Sequence, residues 1–356
     1  MIARNRLAVL EIDGAFGEGG GQLVRTAVAL SAISGIPIRV NDIRARRMRP
    51  GLAPQHLAAI HAIADLCSAN TEGLRPGSEE LFFAPGPIEG GSHVFDVGTA
   101  GSVTLVLQAL LPVMTAARSP VDVRITGETD VMAAPPLDYF LHVLMPILQR
   151  FGVDALISSA RRGYFPKGGG EVDVLVTPSS LRGAGNLLSN TVRDVQGIAH
   201  TANLHASIAE RMRDAALASL GDAVHADIRV STGELAFGAG GAIVVWADSG
   251  TTRLGAGRVA QPGVRAETLG QGVAEELRAD LAAGAGLDRH AADQVLVYAA
   301  LASGPTSYRV REVTEHARTV MWLIEQFFAV QFRIAERAGE TLEVRIEPPH
   351  DRESLV

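Results

Sequence analysis

Gly17-Glu18-Gly19-Gly20-Gly21-Gln22 lies between a strand-like run, Leu7 to Ile12, and a helix-like run, Leu23 to Ile33. Glycine admits positive φ and close backbone approach, and a helix N-terminus presents unpaired N–H groups. A strand, a glycine turn and a helix start together therefore make a place for an anion. Glu18 stands inside that place. A carboxylate there calls for a metal ion or an arginine beside it, so the run points towards metal-assisted phosphate chemistry. The plainer alternative is a turn that only reverses the chain. Two common nucleotide fingerprints are excluded, because Gln22 stands where a dinucleotide motif has its third glycine and no Gly-Lys-Ser/Thr ends a P-loop.

Working outward, the same alternation of β-rich and helical stretches recurs along the chain, in the order of βαβ units. Strands are expected at Leu7 to Asp13, Ile36 to Ile43, Val121 to Thr126, Glu171 to Thr177, Ala242 to Ala247 and Leu342 to Ile346. Helices are expected at Gln22 to Ser34, Pro54 to Ala69, Ser102 to Ala116, Leu137 to Phe151, Ile208 to Leu220, Ala266 to Ala283, Asp288 to Ala302 and Val313 to Phe328. Glycine clusters return at Gly98, Gly168 and Gly238, which suggests a repeated strand–turn–helix unit. Leu181 to Asn186 reads as a linker and Arg253 to Gly263 as a second break in composition. The expectation is an α/β (α+β) protein: a large domain of repeated βαβ-type units, residues 1–184 and 280–356, interrupted by a smaller inserted α/β domain, residues 185–279.

The 356 residues exceed one core of ordinary size, which agrees with an insertion. No apolar run reaches the ~18 residues of a membrane span, and a cytoplasmic protein is expected. Cys67 is the only cysteine, so neither an intramolecular disulfide nor a thiolate cluster is available. The net charge of −7 argues against non-specific coating of nucleic acid, though not against a site that grips one polynucleotide end. Lys167 is the only lysine. Any lysine-based chemistry must use it or be discarded.

Among the histidines, His56 and His61 are five residues apart on a helix, about 140° round, and His200 and His205 read as facing apart on a strand, so a zinc enzyme is not expected. His316, in Val313-Thr314-Glu315-His316-Ala317-Arg318-Thr319-Val320, borders the apolar face of the last helix and reads as inward and half desolvated. That placement suits a hydrogen-bonded core histidine, or a neutral imidazole acting as a nucleophile. Arg44-Ala45-Arg46-Arg47-Met48-Arg49 offers several guanidiniums for phosphate, or a solvated face. Gly98-Thr99-Ala100-Gly101-Ser102 and Thr126-Gly127-Glu128-Thr129-Asp130 are further polar loops, the first opening a helix that carries Gln108.

Taken together these residues resemble the RNA 3′-terminal phosphate cyclase family. The resemblance runs through Asp13-Gly14-Ala15 to Gln22, Ile43 to Leu52 with Gln55-His56-Leu57, Gly98 to Gln108, Gly127 to Pro136, Gly163 to Gly170, Ala292-Asp293-Gln294 and Val313 to Thr319, and is weakest from Asn186 to about Ala279. It implies ATP-dependent conversion of an RNA 3′-phosphate into a 2′,3′-cyclic phosphate, through a covalent histidyl-AMP on His316 and an RNA-adenylate. It further implies a divalent metal, Mg or Mn, at Glu18 and phosphate or substrate contacts from Arg25, Arg44, Arg47 and Gln55. Nucleotide contacts are implied at Gln108, Pro135, His290, Asp293 and Gln294. ATP and RNA 3′-phosphate ends are the expected partners, with no membrane, and a homodimer is left open. The chain departs from many members at Val320, where Asn is frequent, and at His290, where Tyr is frequent.

Two other readings compete with this one. A catalytically inactive cyclase-like scaffold of ribosome biogenesis would share the fold but lack the histidine, whereas His316 and Glu18 are both present. Enolpyruvyl transfer on a related repeated architecture would use several lysines, and this chain has one.

Overall fold

A computed structural model describes residues 8–98, 101–188, 192, 194–221, 224–336 and 341–348. Its organising feature is one pattern used three times. In the first unit, β1 (Leu10–Asp13), α1 (Gly21–Ser34), β2 (Ile38–Asn41), α2 (Pro54–Leu66), β3 (Asn70–Glu72) and β4 (Leu81–Ala84) form a sheet of order β1-β2-β4-β3. Its first pair is parallel and the others antiparallel. The second unit repeats this with β5 (Gly91–Asp96), α3 (Val103–Thr115), β6 (Val121–Gly127), α4 (Leu137–Tyr139) continuing into α5 (Met145–Arg150), then β7 (Asp154–Arg161) and β8 (Gly170–Thr177) in the order β5-β6-β8-β7.

The third unit is split. Its first strand, β9 (Gly185–Leu187), is followed by β10 (Asp194–Ala202), α6 (Ser207–Leu220), β11 (His225–Thr232), β12 (Gly240–Asp248), β13 (Arg253–Val259) and α7 (Ala266–Ala283). Only then come α8 (Arg289–Leu301), β14 (Thr306–Val310), α9 (Glu315–Phe327), β15 (Gln331–Glu336) and β16 (Leu342–Glu347). β9 pairs in parallel with β14 across that interruption, giving the order β9-β14-β16-β15. The intervening strands make their own sheet, β11-β10-β12-β13, covered by α6 and α7 around a separate apolar cluster that includes Met212, Val245 and Leu277. The stretch Arg253 to Gly263, which reads as a break in composition, is β13 and the turn after it.

The expected helices all form, with ends moved by one to three residues where caps decide them. Gly35 terminates α1 in the left-handed region, φ 75°, and donates its N–H to Ser31 O. The fourth expected helix is interrupted. Phe140–Leu144 is a π-helical turn, and Pro146 has no N–H for the carbonyl of His142 four residues earlier. Arg253 of β13 takes that carbonyl with its guanidinium at 2.7 Å, and the His142 ring stacks on Trp246 of β12 at 4.7 Å. A proline in one unit thus fastens the other.

The two cores also meet through buried charge. Arg162 donates to both Asp138 oxygens at 2.9 and 3.0 Å and lies 3.5 Å from Asp130 and from Glu234. His200 of β10 reaches Asp138 at 3.0 Å. Thr126 to Asp130, which reads as a polar loop, is buried at Glu128, Thr129 and Asp130, and Thr129 exchanges hydrogen bonds with the backbone of Gly163. Burial raises the Asp138 carboxyl, but His200 and Arg162 outweigh it and hold the group below the ordinary carboxylate range.

Removing one member of a buried ion cluster leaves its partners uncompensated, at about 3–5 kcal/mol. Arg162→Ala is expected to lower the urea unfolding free energy by that amount. Arg118→Ala, which removes an exposed pair with Glu89, is expected to change it by less than about 1 kcal/mol.

Candidate functional site

The glycine run performs the close approach that its composition suggests. Gly17 and Gly19 sit at φ 56° and 55°, and a Cβ on Gly17 would stand 2.3 Å from Thr319 Oγ1. A Cβ on Gly21 would fall 1.9 Å from His56 Nε2, so any side chain there would displace the histidine. Gly20 is the N-cap of α1 without a side-chain cap bond, and the first turn of the helix carries no acid. Its N–H groups are left facing a cleft.

Glu18 is the junction. One carboxylate oxygen accepts from His316 Nδ1 at 2.7 Å and the other from Arg47 Nη2, which also donates to the Glu18 carbonyl at 3.1 Å. The Glu18 N–H points to Thr319 Oγ1 at 3.4 Å, and Thr319 in turn donates to the carbonyl of Glu315. Segments three hundred residues apart are joined in one chain of bonds. A carboxylate can only accept, so His316 donates through Nδ1, and in the neutral tautomer that this contact selects the lone pair lies on Nε2. His316 is less buried than the inward reading implies: its side chain is 46 % exposed. The physical reason is its place on α9, where Ala317, Val320, Met321 and Ile324 fill the core and His316, beside that stripe, opens onto the cleft.

The cleft encloses about 620 Å³, within the range of small-molecule sites. Glu18, Arg25, Arg44, Arg47, Gln55, Gln108, Pro135, His290, Asp293, Gln294 and His316 all line it. The arginine cluster divides by geometry: Arg44 and Arg47, three residues apart, face the cleft, while Arg46 and Arg49 are solvated. Arg44 is anchored by Gly51 O at 2.8 Å. Arg25 is buried and has no hydrogen bond or ion pair among the described residues, and burial pushes its guanidinium down to about 10. It remains charged at neutral pH. Burial, then Arg25 and Arg44, push His56 down to about 3, so that ring is neutral. Pro135 is tethered through its carbonyl by Thr104 Oγ1 at 2.9 Å. Val320 is buried at a small void of about 30 Å³ beneath the cleft, bounded also by Arg25, Gln108 and Asp293.

Other lining residues escaped sequence reading. Arg258 and Gln261 come from β13 and the turn after it, and Arg289 from the first position of α8. Glu276 of α7 holds Arg258 at 2.5 Å and Arg289 at 3.4 Å. No local pattern marks these residues, because their contribution depends on how the inserted sheet docks. That docking is close: a Cβ on Gly257 would stand 3.1 Å from Pro136, and one on Gly255 would stand 2.4 Å from Val143. Asp288, the N-cap of α8, gathers Tyr139 Oη at 2.6 Å, Gly255 N at 3.2 Å and the N–H groups of His290 and Ala291. His290 lies edge-on to Tyr139 at 6.3 Å. Among the described residues no three His, Cys, Asp or Glu side chains are grouped to hold a metal by themselves.

Residues 16–334 match the sequence model of the family described as RNA 3′-terminal phosphate cyclase. A protein of that name from Nitrosospira multiformis is 49 % identical over 341 residues, covering 95 % of this chain and 96 % of that protein. One from Pyrococcus furiosus is 42 % identical over 341 residues, covering 94 % and 98 %. An enolpyruvyl transferase from Streptomyces tendae aligns over 99 % of this chain and 51 % of its own, at 13 % identity and a TM-score of 0.37, a likeness too remote to carry anything across.

Asp293 gives the cleft a measurable signature. Burial pushes its carboxyl up to about 7, with the Thr314 hydroxyl, 2.9 Å from both oxygens, offsetting part of the rise. A carboxyl raised on folding contributes stability that is full below about 4 and lost as pH rises through about 7. Asp293→Asn removes that dependence. Relative to wild type it is expected to be more stable at pH 8, by on the order of a few kcal/mol, and the difference is expected to close towards pH 4 in urea titrations without nucleotide.

Proposed function

The chain belongs to the RNA 3′-terminal phosphate cyclase family, and on that premise we propose that it converts an RNA 3′-phosphate into a 2′,3′-cyclic phosphate at the expense of ATP. The observation that carries the reading is His316, proton fixed on Nδ1 by Glu18, standing with its free Nε2 in a cleft lined by Arg25, Arg44 and Arg47. In the proposed first step Nε2 attacks the α-phosphorus of ATP, a P–N bond forms and the bond to pyrophosphate breaks. Glu18, bonded to Nδ1–H, offsets the positive charge that develops on the ring. The arginines and the open N-terminus of α1 meet the phosphate charge.

An oxygen of the RNA 3′-phosphate then displaces His316 from the adenylyl phosphorus. The adjacent 2′-hydroxyl attacks the activated 3′-phosphorus, releases its proton to solvent and expels AMP. That ring closure is intramolecular and asks mainly for positioning. Gln108, Pro135, His290, Asp293 and Gln294 are proposed to hold the nucleotide, and Gln55 to meet the substrate phosphate. Glu18 is the donor proposed for Mg²⁺ or Mn²⁺. One carboxylate suits an ion whose remaining positions are filled by water and nucleotide phosphates, and such an ion neutralises phosphate charge when bound.

Within this proposal, the three repeated units carry the adenylylation chemistry, and the inserted unit, expected at 185–279 but running from β10 to α7 because β9 pairs with β14, closes one wall of the cleft through Arg258 and Gln261. None of the described helices is long and apolar enough to cross a membrane, and the proposed setting is the cytoplasm.

Incubation with α-labelled ATP is expected to give an acid-labile, alkali-stable protein adduct that His316→Ala abolishes; label persisting on that variant overturns the assignment. Glu18→Ala is expected to slow adduct formation about 10- to 100-fold, as loss of a carboxylate that orients a histidine does elsewhere, and to raise the metal concentration needed. An unchanged rate and an unchanged metal requirement would remove Glu18 from the mechanism.

A further inference from the structure

Outside the cleft, exposed rings gather where loops of two units meet. The turn closed by Gly168 N–H on Tyr164 O at 2.9 Å carries Phe165, Pro166 and Lys167 at its tip, with Phe165 68 % exposed. The loop between β11 and β12 brings Phe237, 58 % exposed, against it. A Cβ on Gly169 would stand 2.5 Å from the Phe237 ring, and one on Gly238 would stand 3.6 Å from Lys167 Cβ. The Arg161 guanidinium lies 4.2 Å from the Phe237 centroid and is held by Gly169 O at 2.6 Å and Glu171 at 3.4 Å. Lys167, the only lysine of the chain, is exposed and has no ion pair or hydrogen bond among the described residues.

Two exposed rings, one of them with the Arg161 guanidinium over one face, beside a cation unpaired among the described residues form an arrangement suited to single-stranded nucleic acid. Bases stack on the rings without regard to sequence and the cation meets a phosphodiester. The location fits as well. Gly163, at the base of the turn, exchanges hydrogen bonds with Thr129, two residues before the Val131 to Pro136 stretch that lines the cleft. Phe237 lies three residues before β12, whose Ala242 pairs with Val259 at the cleft wall. Both loops are thus tied to the cleft's border, one through Thr129 and the other through β12.

We propose that Phe165, Phe237 and Lys167 form a platform for the RNA strand as it leaves the cleft, stacking bases that lie 5′ of the reacting end and neutralising one backbone phosphate. The proposal rests on the cyclase reading of the cleft, and its test separates the two. Steady-state cyclisation is measured on a 3′-phosphorylated oligoribonucleotide of about ten nucleotides and on a dinucleotide 3′-phosphate, alongside adduct formation from ATP alone. Phe165→Ala and Phe237→Ala are each expected to raise KM for the long RNA about tenfold with kcat unchanged. KM for the dinucleotide and adduct formation should stay at wild-type values, and Phe165→Trp should restore long-RNA affinity. Lys167→Ala should lower the slope of log KM against log salt by about 0.7.

An unchanged KM for the long RNA overturns the platform, as does an equal rise for both substrates. A change in particle mass in solution with RNA affinity untouched would give the patch to a second copy of the chain and likewise overturn it. If the wild type forms neither adduct nor cyclic product, the cleft reading fails on its own. Direct binding of the labelled oligonucleotide then still decides the platform, with unchanged binding in the two alanine variants refuting it.

Discussion

A four-stranded sheet crossed by two helices is too small to hide its apolar face alone, and the architecture follows from that constraint. The three repeated units share one interior: α1 packs on α2, α3 and α9, while α8 packs on α3, α5 and α9. A single apolar cluster accordingly runs from Ile12 of β1 to Ile346 of β16. Helix packing of this kind fixes the ends of the helices as well as their sides. The approach to α1, the first turn of α9 and the N-cap of α8 are brought to one place, and Glu18, His316 and Asp288 sit at those points.

Charge is then distributed by position more than by total. The chain is acidic overall, yet Arg25, Arg44, Arg47, Arg258 and Arg289 converge on one cleft while the acids nearest them are committed. Glu18 is held by His316 and Arg47, and Glu276 by Arg258 and Arg289. A buried and unpaired Arg25 is tolerable in a folded protein when an anion arrives to meet it. The inserted unit enters the same scheme through its contacts. Small residues at Gly255 and Gly257 let β13 lie against Val143 and Pro136, and Arg253 takes the carbonyl that Pro146 leaves free.

Particular residues show how far local reading reaches. The Gly17 to Gln22 run was legible because positive φ and close approach leave a compositional trace, and the structure places Gly17 against Thr319 and Gly21 against His56. Long amphipathic helices such as α7 and α9 were legible from periodicity. Short or half-exposed strands were not: β5, β9 and β15 have few buried side chains and take their conformation from partners distant in sequence. His316 was legible as a candidate, but its exposure was not, since position relative to an apolar stripe does not say whether a neighbouring element covers it.

Sequence by itself determined the repeated alternation of strands and helices, the glycine turn before the first long helix, and several candidate side chains for phosphate chemistry, because propensity, periodicity and residue type are local properties. Only the tertiary structure decided that Glu18 reaches His316 and Arg47, that two of four clustered arginines face inward, that Arg258 and Arg289 join them, and that Phe165 and Phe237 share one surface. Those outcomes depend on the burial of three sheets against a common layer of helices and on the docking of an inserted fourth, and contacts across such distances leave no imprint on the residues next to each partner.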